Sequence, residues 1–424
     1  MANRNRHAPA PGVIGLLDVG TSKIACLIVE VARPRAAGGL PEVRVLGAGH
    51  QHSRGLKAGV VVGLDEAEQS VRAAVTEAEL MAGLTMHDVF LAVSCGRIKS
   101  TTFAADTRIA GRVVADADIE RLTAAARDYA ERDGRSLLHM NPIAYRLDGG
   151  PGMRDPRGMA GHVLTADLHA ATADDAPLHN LLHVIERAYL TVAGVAPAPL
   201  ASGLAATTEE ERQAGVICVD MGAGATTISC FVEGHLLAVD AVAVGGHHVT
   251  FDIARALSTP LAEAERIKFL CGTLTRTAAD DQEVVAYTLA GEEESALYQT
   301  TKAHVRGIAS ARVAGLFGHV AERIERSDLA RYATRRMVLT GGGSLLPGVC
   351  EVAAEVLRQP VRVARLQPLA GAPAGFASPA FSTVLGLVQA ALDPGAGVRV
   401  GPSGRLTGTD SYFGIVRRWL RESF

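Results

Sequence analysis

The most constraining feature of the sequence is a pattern that occurs twice, about half a chain apart. Val13-Ile14-Gly15-Leu16-Leu17-Asp18-Val19-Gly20-Thr21-Ser22-Lys23 runs into the apolar stretch Ile24 to Val31. Val216-Ile217-Cys218-Val219-Asp220-Met221-Gly222-Ala223-Gly224-Ala225-Thr226-Thr227 runs into Ile228 to Val232. Each copy reads as a strand ending in an aspartate, a glycine-rich turn with hydroxyls, and a returning strand. Such a repeat predicts two similar domains facing each other. The length agrees, since 424 residues exceed what one compact core holds.

A nucleoside triphosphate needs backbone N–H groups close to its phosphates, hydroxyl donors beside them and carboxylates for Mg²⁺. Gly20, Gly222 and Gly224 lack the Cβ that would block that approach, and Thr21, Ser22, Thr226 and Thr227 carry hydroxyls. Asp18 and Asp220 each end a strand, so they point into one crevice if the halves face one another. They are expected to hold Mg²⁺ through water, and Lys23 to add a point charge to the phosphates. Either turn alone reads first as a plain hairpin; the two together, with the later turn Gly341-Gly342-Gly343-Ser344, reverse that and favour a phosphate site. Neither a Walker P-loop nor a Gly-x-Gly-x-x-Gly βαβ unit is present. Glu265 and Lys268, three apart on a helical face, read either as a surface ion pair or as groups for the sugar end of a nucleotide.

Periodicity predicts helices over Leu64 to Ala82, Asp174 to Val192, Pro260 to Leu270, Arg306 to Arg326 and Leu345 to Leu357. Strands are predicted over Asp88 to Ser94 and Met337 to Thr340, and a polar loop from Thr273 to Gly291. Gly96 to Asp167 reads as an inserted subdomain of mixed strand and helix.

A net charge of −3 gives no pull toward nucleic acid. The six cysteines form no C-x-x-C pair and read as buried thiols. No apolar run approaches the ~20 residues of a membrane span. Arg4 and Arg6 precede a short apolar run that Asp18 interrupts, which does not make a signal peptide.

Gly395 to Asp410 reads as a flexible linker reaching on the order of 20 Å. After it, Tyr412, Ile415, Val416, Trp419 and Leu420 recur at helical spacing, widened by Phe413, with Arg417, Arg418 and Arg421 on or beside the other face. Such a helix either docks on its own protein or lies in a membrane interface. The linker, the arginines and the terminal aromatics favour the interface, with anionic lipids as its partner.

Taken together, the arrangement resembles the actin, sugar-kinase and heat-shock-70 superfamily. Asp18 to Lys23 and Asp220 to Thr227 resemble its two phosphate loops, and Gly341 to Ser344 its adenosine loop. Within it, several segments resemble the bacterial cell-division family FtsA: Gly245-Gly246-His247-His248-Val249-Thr250 leading to Asp252-Ile253, Ala264-Glu265-Arg266-Ile267-Lys268, Asn141 to Asp148, Pro156 to Met159 with Gly161, and Pro199 to Leu204. The fold class this implies is α/β: an actin-like two-domain fold with duplicated mixed-sheet cores and an inserted FtsA-type subdomain. The implied boundaries are 1–84 with 166–205 and 376–395 (subdomain IA), 85–165 (IC), 206–245 with 336–375 (IIA), 246–335 (IIB), the linker 396–410 and the helix 411–424.

The resemblance also implies ATP with Mg²⁺ as cofactors, with Gly245 and Gly246 in the nucleotide site and Glu265 and Lys268 on ribose and adenine. It implies filament formation by self-association, binding of the FtsZ C-terminal tail near Lys302, Arg306 and Arg312, and recruitment of later division proteins. The place implied is the cytoplasmic face of the inner membrane. The second loop departs from the family's usual Asp-x-Gly-Gly-Gly-Thr: Ala223 replaces a glycine and Ala225 the first threonine. No residue is positioned by the sequence to orient an attacking water, so at most a weak ATPase is expected. A small-molecule kinase of the same superfold is the alternative; it would need a cleft base and would have no use for the tail. A heat-shock-70 chaperone would need a peptide-binding domain, and a shape-determining or pilus-assembly homologue would lack this insert.

Overall fold

The computed structural model describes residues 12–32, 41–276, 282–292, 296–327, 336–392 and 398–399. Its framework is two mixed sheets with the same internal order. In the first, Gly12–Val19 pairs antiparallel with Lys23–Ala32, which pairs antiparallel with Glu42–His52. On its other side Gly12–Val19 lies parallel to Asp88–Val93, which lies parallel to Thr191–Pro197. In the second, Val216–Met221 pairs antiparallel with Thr226–Val232, which is followed by His235–Val242. On the far side come Met337–Thr340 and Val361–Val363, both parallel. Strands covered on both faces must be apolar throughout, hence Leu16, Leu17, Ile217 and Val219 at 0 % exposure.

The helix Leu64–Ala82 covers the first sheet with Ala67, Val71, Ala74 and Ala78. Its approach is close because the strand beneath it carries glycines: a Cβ on Gly47 would sit 2.0 Å from the Ala78 carbonyl oxygen, and one on Gly49 2.2 Å from that of Ala74. The helices Ala198–Ala206 and Ser382–Leu392 run between the sheets. They are pressed together where a Cβ on Gly386 would lie 1.7 Å from the Ala201 carbonyl oxygen. One buried cluster, from Leu16 and Leu27 through Leu200 and Leu387 to Cys218 and Val338, joins both halves beneath the cleft.

Between Asp88–Val93 and Thr191–Pro197 the chain builds a separate three-stranded antiparallel sheet, with Val163–Asp174 flanked by Lys99–Arg108 and Arg135–Leu147. The helix Asp116–Ala130 packs on it around Ile109, Val114, Leu122 and Leu164. On the other lobe, Gly246–Leu257, Leu261–Cys271 and Lys302–Arg326 form a helical layer over Val219, Ile228 and Leu339.

Four local expectations need correction. The helix predicted over Asp174 to Val192 runs only Asp175–Arg187; Tyr189 adopts a φ of +62° and the β-branched run that follows becomes the strand Thr191–Pro197. The predicted loop Thr273 to Gly291 contains Val284–Tyr287, a strand paired with Tyr298–Thr301. The helix predicted over Leu345 to Leu357 is a 3₁₀ turn, Gly342–Leu345, and then a helix Val349–Leu357; Pro347 and Gly348, at φ +86°, separate them. Within the predicted linker, Val398–Arg399 pairs with Gly194 and Val195 at the edge of the first sheet. The tail residues Tyr412, Phe413, Ile415, Val416, Arg417, Arg418, Trp419, Leu420 and Arg421 lie outside the described residues. No described helix is long and apolar enough to cross a membrane.

Candidate nucleotide cleft

In each sheet the aspartate closes the central strand at the same register: Asp18 pairs with Ala25 and Ala92, Asp220 with Thr227 and Thr340. Ligands in open α/β sheets sit beyond the carboxyl ends of the strands, and both aspartates line one cavity of about 510 Å³ there. The two turns meet across it, since a Cβ on Gly224 would come within 2.8 Å of Thr21 Oγ1. Gly20, Thr21, Ser22 and Lys23 line the cavity from one lobe, and Gly222, Gly224, Thr227, Gly246, Glu265 and Lys268 from the other.

Thr21 Oγ1 accepts a hydrogen bond from the Gly59 amide at 2.9 Å, which fixes its rotamer. The second turn is held from behind: Gly246 N–H donates to the Gly222 carbonyl and His247 N–H to that of Ala223, both at 2.9 Å. The third turn sits against Asp220. A Cβ on Gly341 would lie 2.2 Å from Asp220 Oδ1, so only glycine fits. Gly341, Gly342 and Gly343 line the cavity.

Three predicted residues are placed otherwise. Thr226 is fully buried and its hydroxyl donates to the Val244 carbonyl at 2.8 Å, so any compensation for Ala225 falls to Thr227. The Ser344 hydroxyl turns inward to the Gly341 carbonyl at 2.7 Å. Gly245 is not among the lining residues; its N–H donates to His248 Nδ1, and a Cβ there would strike the Gly222 carbonyl oxygen at 2.5 Å. All three brace the turns from outside.

Glu265 and Lys268 form an ion pair at 2.7 Å, and Thr250 bonds both: its hydroxyl lies 2.5 Å from Glu265 and receives Lys268 Nζ at 2.9 Å. Both face the cavity, beside the exposed ring of Phe269 and the apolar rim of Leu345, Leu346 and Pro347. Lys302 pairs with Glu283 at 2.8 Å, and Arg312 forks onto Asp252 at 2.5 and 2.8 Å, with Arg306 on the same helix. The charges of Lys302 and Arg312 are therefore offset by carboxylates.

Electrostatically the cleft is strained toward neutrality. Burial pushes Asp18 up to about 7, with the Asp220 charge adding and Lys23 opposing. Burial likewise raises Asp220 and lowers Lys23. Two desolvated carboxylates beside a desolvated ammonium are what a hydrated cation carrying phosphates would relieve. The glycines supply the backbone approach, so these residues fit Mg²⁺ with a nucleotide.

Sequence reasoning missed Ser94, Ser382, Thr383 and His247, which also line the cavity. Ser94 follows the strand parallel to that of Asp18, so its strand-end position was a usable signal. Thr383, whose hydroxyl reaches Asp220 at 3.4 Å, comes from a helix 163 residues away and gave none.

Comparison with known proteins agrees with this architecture. Residues 217–386 match the description "Cell division protein FtsA", and residues 95–172 match "SHS2 domain inserted in FTSA". The chain is 39% identical to the cell division protein FtsA of Rhizobium meliloti over 97% of its own length and 95% of the relative's. It is 31% identical to that of Neisseria meningitidis over 97% and 98%. Among solved structures it resembles a PilM–PilN type IV pilus biogenesis complex chain (TM-score 0.64, 16% identity, 90% of this chain and 98% of that one). It also resembles MreB 5 of Spiroplasma citri bound to AMPPNP (TM-score 0.51, 13% identity, 90% and 96%). The fold is thus actin-like, with two mixed-sheet cores, and its insert matches the SHS2 domain inserted in FTSA. At this identity over nearly its whole length, the chain belongs to the family of the cell division protein FtsA.

Proposed function

We propose that this chain is an ATP-binding, filament-forming adaptor that tethers a division ring to the cytoplasmic face of the membrane. The observation carrying the nucleotide part is the convergence of Asp18 and Asp220, from two sheets of the same order, on one glycine-lined cavity. Asp18 and Asp220 would hold Mg²⁺ through water. Gly20 to Lys23, Gly222, Gly224 and Thr227 would cradle the phosphates, Glu265 and Lys268 would meet the ribose and base, and Gly341 to Gly343 would receive the adenosine. That MreB 5 is bound to AMPPNP on the same fold supports this ligand class. Mg²⁺ would neutralise the triphosphate, and nucleotide binding both lobes would favour the closed form.

Under this reading the segments 1–84, 166–205 and 376–395 act as one lobe, with 206–245, 246–335 and 336–375 as the other. The insert at 85–165 contacts later division proteins and neighbouring copies. The region of Lys302, Arg306 and Arg312 receives the FtsZ tail, and the stretch 411–424 binds anionic lipid beyond a shortened linker. Avidity along a filament would compensate for one weak helix per copy.

The test is electron microscopy on an anionic lipid monolayer with ATP and Mg²⁺, alongside calorimetry. Membrane-bound filaments are expected, and Asp220→Ala should weaken ATP binding about tenfold or more. ATP affinity unaltered by that substitution would remove the cleft from the account, and rapid phosphoryl transfer to a small acceptor would favour the kinase.

A further inference from the structure

Lys23 places a half-buried ammonium in a cavity that also holds two carboxylates, yet among the described residues no direct ion pair joins it to Asp18 or Asp220. Its Nζ lies instead over the ring of Phe381, 4.0 Å from the centroid. That ring is itself fixed. It stacks on Phe376 at 4.3 Å, and the imidazole of His50 stands edge-on to both rings at 5.5 and 5.8 Å. The segment carrying it is anchored to the third glycine turn, where Gly341 N–H donates to the Pro379 carbonyl at 3.1 Å.

An ammonium free to choose in such a space would collapse onto a carboxylate, because attraction between opposite charges grows as the surroundings dry. Collapse would cancel the two charges that a Mg²⁺–triphosphate needs separately: carboxylate for the metal, ammonium for the phosphate. A cation–π contact can hold the ammonium without consuming an anion.

We propose that Phe381 is a positioning residue that keeps Lys23 off Asp18 and Asp220, so that the empty cleft stays ready for a metal-bearing triphosphate. This rests on the nucleotide reading above. It adds a role for a residue that does not itself line the cavity.

The test compares wild type with Phe381→Met and Phe381→Leu, which keep bulk but lose the π face, and with Phe381→Tyr, which keeps it. Whichever aliphatic variant retains the wild-type Tm should bind ATP about three- to tenfold more weakly. Phe381→Tyr should restore affinity. In a Lys23→Ala background the aliphatic change should add nothing, a result that general loosening of the fold would not give. Crystals of the nucleotide-free aliphatic variant should show Lys23 Nζ paired with Asp18 or Asp220. Wild-type affinity in that variant, an equal loss in both backgrounds, or Nζ still standing away from both carboxylates would each overturn the proposal. Failure of the wild type to bind ATP would sink the nucleotide reading instead, while the crystals would still decide what the ring does.

Discussion

The two glycine turns stand on the same scaffold and differ in what they carry. Gly20 and Gly222 occupy equivalent places: a Cβ would meet the Lys23 carbonyl oxygen at 3.0 Å in one and that of Ala225 at 2.8 Å in the other. Between equivalent positions the first turn reads Thr21-Ser22-Lys23 and the second Ala223-Gly224-Ala225. One loop therefore keeps two hydroxyls and a cation, and the other is stripped to backbone. The two turns share their geometry, including the strand-end aspartate, but not the side chains they carry. The first lobe supplies charge and donors; the second supplies close approach, and its side-chain chemistry comes from Glu265 and Lys268 on a helix further along the chain.

The largest effect should come from the turn both lobes depend on. Gly341 has φ 82° and ψ 165°, a region essentially restricted to glycine, and its missing Cβ makes room for Asp220. Gly341→Ala combines backbone strain of about 1–3 kcal/mol with displacement of a site carboxylate. We expect Tm to fall and ATP affinity to drop about 100-fold, read by calorimetry. An alanine tolerated at wild-type affinity would mean that Asp220 need not be held where it is.

A sharper test sets one turn against the other. Thr21→Val removes a hydroxyl that is already oriented by the Gly59 amide and faces the cavity. Thr227→Val removes a hydroxyl at the start of the returning strand, just after a turn made of alanine and glycine. If donors are concentrated in the first turn, Thr21→Val should weaken ATP about three- to tenfold and Thr227→Val less. Equal losses would restore the two turns to equivalence.

How much of this was legible in the sequence follows from where the information lies. The aspartates, the turn glycines and the helix Leu64–Ala82, which ends at Gly83 with φ 68°, are specified by residues adjacent in the chain. The strand Thr191–Pro197 was not, because an apolar run after a helix extends the helical pattern until a tertiary neighbour, Asp88–Val93, claims it. Thr226 illustrates the limit within a motif. Spacing gives a hydroxyl beside a phosphate loop, and only its pairing partner Val242, with the Val244 carbonyl beyond it, turns that hydroxyl away. Phe381 and Thr383 lie further still from any local signal: the packing of the helix Ser382–Leu392 brings Thr383 to the cleft, and the short turn before it sets Phe381 under Lys23.

The smallest expected effect on nucleotide comes from the insert, where a buried carboxylate lives under opposite physics to those of the cleft. Asp118 is 0 % exposed, yet Arg112 forks onto it at 2.5 and 2.8 Å, Arg121 adds a contact at 2.6 Å, and the Ala115 N–H donates to it at 3.1 Å. These partners, Arg112 foremost, hold its carboxyl well below the usual carboxylate range, whereas burial without enough partners drives Asp18 up. The sign follows from linkage: a carboxyl depressed by folding stabilises above its ordinary value of 3.8, and that contribution fades as pH falls toward the folded value. Asp118→Asn should lower the Tm of the insert at pH 7, and below about pH 4 the gap to wild type should narrow, followed by circular dichroism melts. ATP affinity at 25 °C should stay at the wild-type level. A cleft that weakens with this substitution would show the insert and the nucleotide site to be one coupled unit, and the contrast between the two carboxylates would then be a difference within a single machine.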